Sequence, residues 1–83
     1  MLFKKNEIIE LSGGKKHIIV DTTQLEGKYY YYVCEVQEDE SEIIPNFRVI
    51  MTINENGRLF VKTVKDDLAD KLTVMFKENL NLN

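Results

Sequence analysis

The chain has little of what most dedicated chemistries require. Of its 83 residues one is cysteine, one is histidine, one is proline and none is tryptophan. A lone Cys34 excludes an internal disulfide and any structural metal site built from several thiolates. No stretch approaches the roughly 18 consecutive apolar residues of a membrane-spanning helix. The opening Met1-Leu2-Phe3-Lys4-Lys5 lacks the apolar run of about 7–15 residues of a secretory signal. The expectation is a reduced, cytoplasmic protein with no membrane partner.

Charge of one sign is also scarce outside a single segment. The net charge is −3, and residues 1–34 and 58–83 are each close to balance. Residues 35–57 hold six acids against Arg48 alone, with Glu35, Glu38, Asp39, Glu40 and Glu42 close together. Nucleic-acid binders draw affinity from Lys and Arg set against phosphates, usually as a basic stripe. None is visible here, which disfavours a nucleic-acid partner.

What the chain does contain is a run of β-branched and aromatic segments separated by turn residues. At 43% hydrophobic and 30% charged it has the composition of a globular protein, and its length suits one domain spanning 1–83. Ser12-Gly13-Gly14-Lys15, Leu25-Glu26-Gly27-Lys28 and Asn54-Glu55-Asn56-Gly57 supply glycine where a hairpin needs positive φ. The acidic loop 38–42 is followed by Pro45, which fits a strand entrance or an edge. Five strands are predicted, at about 7–11, 17–24, 29–37, 47–54 and 58–64.

A helix is predicted over about 67–80. Asp66 is the expected N-cap, with Asp67 and Asp70 near the positive end of the dipole. Leu68, Leu72, Met75, Phe76 and Leu80 recur at spacings of three and four and form one apolar stripe. Residues 79–83 are expected to fray. The fold class is therefore mainly β with one helix: a five-stranded antiparallel meander, strongly bent or closed into an SH3-like small barrel, with a C-terminal amphipathic helix. An open sheet with the helix across one face is the alternative.

A slip of one residue moves every side chain of a strand to the other face, so apolar matching can choose a register. Matching favours a three-residue loop Glu55-Asn56-Gly57, pairing Met51 with Val61 and Ile53 with Leu59. It likewise favours Leu25-Glu26-Gly27, pairing Ile18 with Cys34 and Val20 with Tyr32. For the first hairpin Ile8 and Ile9 compete for the inner face. Several strands are apolar on both faces, whereas one helix covers only one. Tyr29, Tyr31, Ile50 and Phe60 are left over once the helix-facing side is filled, and they form the expected interaction surface.

No catalytic, cofactor-binding or metal-binding constellation emerges. His17 has no evident partner for acid–base work and reads as an exposed strand residue. Cys34 has no cationic neighbour to stabilise a thiolate and reads as a buried structural thiol. The acidic loop 38–42 lacks the central glycine and ligand spacing of a calcium loop. Gly13-Gly14-Lys15-Lys16 lacks the spacing of a phosphate loop, and a strand rather than a helix follows it. The tract Tyr29-Tyr30-Tyr31-Tyr32 reads first as cross-strand packing, then as a protein interface, then as a platform for stacking bases.

Lys5-Asn6-Glu7-Ile8-Ile9-Glu10-Leu11, Asp21-Thr22 and Leu25-Glu26-Gly27-Lys28 followed by Tyr30 resemble small uncharacterised proteins of low-GC Gram-positive bacteria and their mobile elements. The layout is similar to that of the YrzB-like domain of unknown function. The resemblance implies strands closed by a short helix, and no activity. The functional expectation is a non-catalytic protein-interaction module acting through apolar strand surface, with self-association as a homodimer as one form of that contact. The alternative is a nucleic-acid-associated small barrel using Lys4, Lys5, Lys15, Lys16 and Lys28. A small enzyme ranks third.

Overall fold

Each connection between successive strands, and the entry to the helix, contains a residue with positive φ. A computed structural model describes residues 3–80. It contains β1 (Ile8–Glu10), a 3-10 turn (Ser12–Gly14), β2 (Lys16–Leu25), β3 (Lys28–Val36), β4 (Ile43–Glu55), β5 (Arg58–Thr63) and α1 (Asp66–Asn79). The junction residues are Asn6, Gly13 and Gly14, Glu26 and Gly27, Glu40, Asn56 and Gly57, and Asp66. The strands form one antiparallel sheet in sequence order, β1-β2-β3-β4-β5. The sheet curls into a half-barrel, so of the expected architectures the strongly bent meander is the one found. Of the stretch expected to fray, Asn79 ends α1, and residues 81–83 lie outside the described residues.

The turns are tighter than apolar matching suggests. Leu25 pairs with Lys28 and Glu55 pairs with Arg58, leaving two-residue loops. Glu26 and Gly27 have φ of 52° and 78°, and Asn56 and Gly57 have 52° and 80°. Two successive positive φ angles define a type I′ turn, whose twist matches that of the flanking strands. Backbone twist therefore outweighs apolar matching at the last hairpin. Met51 pairs with Lys62 and Ile53 with Phe60, rather than with Val61 and Leu59.

In the second hairpin a bulge undoes the shift. The register changes between Ile19 and Asp21, so Val20 and Asp21 together oppose Tyr32. Beyond the bulge Ile18 pairs with Cys34, as apolar matching requires. Closer to the turn Tyr32 faces Asp21 and Tyr30 faces Thr23. A second irregularity lies between Cys34 and Val36. There Pro45 sits in the part of β4 that β5 does not reach, since β5 pairs only from Ile50 onward. In the first hairpin Ile9 pairs with His17 and Ile8 with Ile18.

Both faces of the sheet are covered. On one, Tyr30, Tyr32 and Val49 pack with Val64 and with Leu72 and Phe76 of α1. Tyr32 is stacked between Phe47 and Phe76, with ring centroids at 5.3 and 5.4 Å. The stripe of α1 is narrower than its sequence suggests, for Leu72 and Phe76 are buried while Leu68 is exposed. Lys65, not Asp66, occupies the N-cap position and makes no side-chain capping bond. Asp66 instead takes a φ of 63° as the chain turns into the helix.

On the opposite face Ile19, Tyr31, Val33 and Ile50 form a second cluster, covered by Phe3, Ile9, Leu11 and Tyr29. Phe3 meets Tyr31 edge-on at 5.1 Å. The N-terminal segment is held there by backbone bonds from Asn6 N–H to the Ile19 carbonyl and from Ile19 N–H to the Glu7 carbonyl. Lys5 also lies 3.4 Å from the Asp21 carboxylate.

Glutamate is a poor occupant of the first I′ position, because a left-handed backbone costs an ordinary L residue about 1–2 kcal/mol. Asparagine tolerates that conformation better. Glu26→Asn is expected to raise unfolding free energy by about 0.5–1 kcal/mol in urea titration, and Gly27→Ala to lower it by about 1 kcal/mol.

Candidate interaction edge

The second cluster relocates half of the expected surface into the interior. Tyr31 and Ile50 are 0% exposed and pair with one another across β3 and β4. Tyr29 is half-buried at the rim of the same cluster. Of the four residues expected to be left over, only Phe60 is exposed. The reason is the curl. It folds the side opposite the helix over itself, with Phe3, Ile9 and Leu11 closing what the helix cannot reach. Tyr30 and Tyr32 are buried on the helix side, so three of the four consecutive tyrosines are closed to stacking by bases.

His17 corrects another expectation, for it is fully buried rather than exposed. It sits opposite Ile9 and Glu35, with Nδ1 3.3 Å from the Lys15 carbonyl. Among the described residues, His17 Nε2 and the Tyr31 hydroxyl are buried without a hydrogen-bond partner. Burial holds the imidazole below its ordinary pKa, the bond to Lys15 acts against this, and Arg48 lowers it further. A sequence signal existed: His17 alternates with Ile19 in a strand whose every second residue faces inward. One polar residue in that pattern does not reveal its burial.

Cys34 is buried as expected. Its Sγ donates to the Ile44 carbonyl at 3.2 Å, and burial pushes the thiol pKa up, away from nucleophilic chemistry. The acidic loop spreads its carboxylates. Glu40 pairs with Lys16 Nζ at 3.1 Å, Asp39 accepts the Ser41 hydroxyl at 2.6 Å, and Glu35 accepts Asn46 Nδ2 at 3.0 Å. Among the described residues no group of three or more His, Cys, Asp or Glu is placed to hold a metal ion, and no helix is long and apolar enough to cross a membrane.

What remains uncovered is β5. Among the described residues it lies at the end of the sheet and pairs with β4 alone, and it is exposed along its whole length. Leu59, Phe60 and Val61 are 46%, 44% and 41% exposed. Single apolar residues on a surface need no explanation, and Val74 on α1 is one of these. Three in succession on a strand with an unpaired edge form a template for another strand. Two clefts flank this run. One, of about 340 Å³, is lined by Tyr29, Met51, Ile53 and Leu59. The other, of about 310 Å³, lies between Glu10 and Leu11 on one side and Leu59, Val61 and Thr63 on the other. That second cleft is the open seam of the half-barrel. The three-residue-loop register obscures this edge in the sequence, because it turns Leu59 and Val61 toward the core.

The buried His17 makes stability depend on pH. Its folded pKa lies below the unfolded value of about 6.5, so the unfolded chain binds the extra proton first. Stability is full above about pH 6.5, falls by at most about 1.4 kcal/mol per pH unit below it, and levels off beneath the folded pKa. In urea titrations His17→Met is expected to remove that component, so the wild-type and variant curves diverge on acidification. Parallel curves would contradict it.

Compared with protein-family models, curated proteins and solved structures, the chain shows no match.

Proposed function

We propose that this protein is a small, non-catalytic, cytoplasmic interaction module that meets a protein partner through β5. The observation that carries the proposal is the exposed run Leu59-Phe60-Val61 on an edge with no neighbour among the described residues. Adding a strand to such an edge satisfies backbone groups of both partners and seats alternate side chains in adjoining pockets. Leu59 lines both clefts, so the edge offers side-chain sites as well as backbone groups. A catalytic role has less support, since the only thiol is buried and raised in pKa and the only imidazole is sealed inside. A base-stacking role has less support too, with Tyr30, Tyr31 and Tyr32 buried.

The test is site-specific photo-cross-linking in cells that express the protein natively. A benzophenone side chain at position 60 is expected to capture a discrete protein adduct, and the same group at position 74 is not. Val74 serves as the control because it is apolar and 56% exposed, yet the residues three and four positions away on α1 are Asp70, Lys71, Lys77 and Glu78. Identical patterns from both positions, or none from position 60, would contradict the proposal.

A further inference from the structure

We infer that the strand which docks on β5 is an acidic, extended peptide segment, added antiparallel at the open seam of the half-barrel; this rests on the reading of β5 as the interaction edge. Backbone geometry supplies the first half of the argument. Glu55 and Arg58 close a two-residue hairpin. Residues flanking such a turn exchange both hydrogen bonds, and the pattern then alternates along the strand. Arg58, Phe60 and Lys62 therefore direct N–H and C=O toward β4, while those of Leu59, Val61 and Thr63 point outward and are free for another strand.

Charge supplies the second half. Residues 58–65 carry Arg58, Lys62 and Lys65 and no acid, in a chain whose net charge is −3. Arg48 adds a fourth cation nearby, in the lining of the seam, where it stands with Glu10, the one acid there. Among the described residues none of these four cations lies within ion-pair distance of a carboxylate; both ion pairs use Lys5 and Lys16 instead. A strand laid along β5 places its side chains opposite Arg58, Phe60 and Lys62 on one face and opposite Leu59 and Val61 on the other. The complementary segment has three apolar residues between two carboxylates.

The same charges weigh against a second copy as the occupant. Antiparallel pairing of two β5 strands about Phe60 sets Arg58 opposite Lys62 of the other copy, twice. Pairing about Val61 avoids that opposition but still brings Arg58, Lys62 and Lys65 of both copies onto one edge, with no acid in residues 58–65 to offset them. Like charges facing one another across strands are destabilising, and lysine on an edge is a common guard against self-pairing.

The experiment titrates the isotopically labelled full chain with two synthetic peptides. One has three valines between two glutamates, flanked by glycine and serine; the other has lysines in place of the glutamates. The acidic peptide is expected to shift the amide signals of Leu59, Val61 and Thr63 and to bind at least tenfold more tightly than the basic one. Arg58→Glu with Lys62→Glu, both at exposed positions, is expected to invert the preference while leaving the remaining spectrum in place. Equal binding of both peptides at β5 would overturn the acidic partner and leave the edge intact. Shifts of the β5 signals on concentrating the protein alone would overturn it in favour of a second copy. No shift at β5 with either peptide would overturn both this inference and the edge reading.

Discussion

The structure depends on hiding a strand that is apolar on both faces. From Tyr30 to Cys34 every side chain of β3 is buried, and a strand sends successive side chains to opposite sides. Burying a large apolar side chain stabilises a fold by about 1.5–3 kcal/mol. For so short a chain, leaving either face of β3 wet would cost a large part of the total. Two covers are therefore needed, and the chain builds them by different means. The helix lays Leu72 and Phe76 over Tyr30 and Tyr32. The sheet itself bends so that Phe3, Ile9 and Leu11 close over Tyr31 and Ile50. The bulge at Val20, the register irregularity near Pro45 and the tie between Lys5 and Asp21 accompany that curl. Enclosure is imperfect in one respect. The Tyr31 hydroxyl goes into the interior unpartnered among the described residues, a burden of about 1–3 kcal/mol.

Covering β3 twice uses up the apolar cover, and the sheet is left unfinished at one side. The strand count does not bring β5 back to β1, so the half-barrel keeps a seam and β5 keeps a free edge. Its neighbour β4 is protected by two partners over Ile50–Thr52, whereas β5 has one among the described residues. The positive charges along β5 fit this situation, since they discourage association with copies of the same edge while attracting a strand of opposite sign. Fold and proposed role therefore share one cause. The demands of β3 determine which surface is left uncovered.

Much of this was legible in the residues, and the rest was hidden for identifiable reasons. Glycines and β-branched runs locate all five strands to within a few residues, except that β4 begins earlier, at Ile43. There it runs through Pro45, whose missing N–H faces no β5 partner. The α1 stripe predicts Leu72 and Phe76 correctly but includes Leu68, which the short contact with the sheet leaves exposed. Apolar matching identifies the pair Ile18 and Cys34, though through a bulge that pattern alone does not reveal. It fails at the last hairpin, where turn geometry overrides it. The surplus of apolar strand surface was visible, but its location was not. Whether Tyr31 or Val61 stays outside depends on which way the sheet curls, and curl arises from contacts far apart in sequence such as Phe3 with Tyr31.

The central claim is that β3 is sealed on both sides while β5 is open along one edge, and amide hydrogen exchange of the isolated protein tests it most directly. The account predicts slow exchange throughout Tyr30–Cys34. Along β5 it predicts alternation, with Phe60 and Lys62 protected and Leu59, Val61 and Thr63 exchanging nearly as fast as an open chain. Uniform protection of β5, or exchange in β3 as rapid as at the edge, would contradict it.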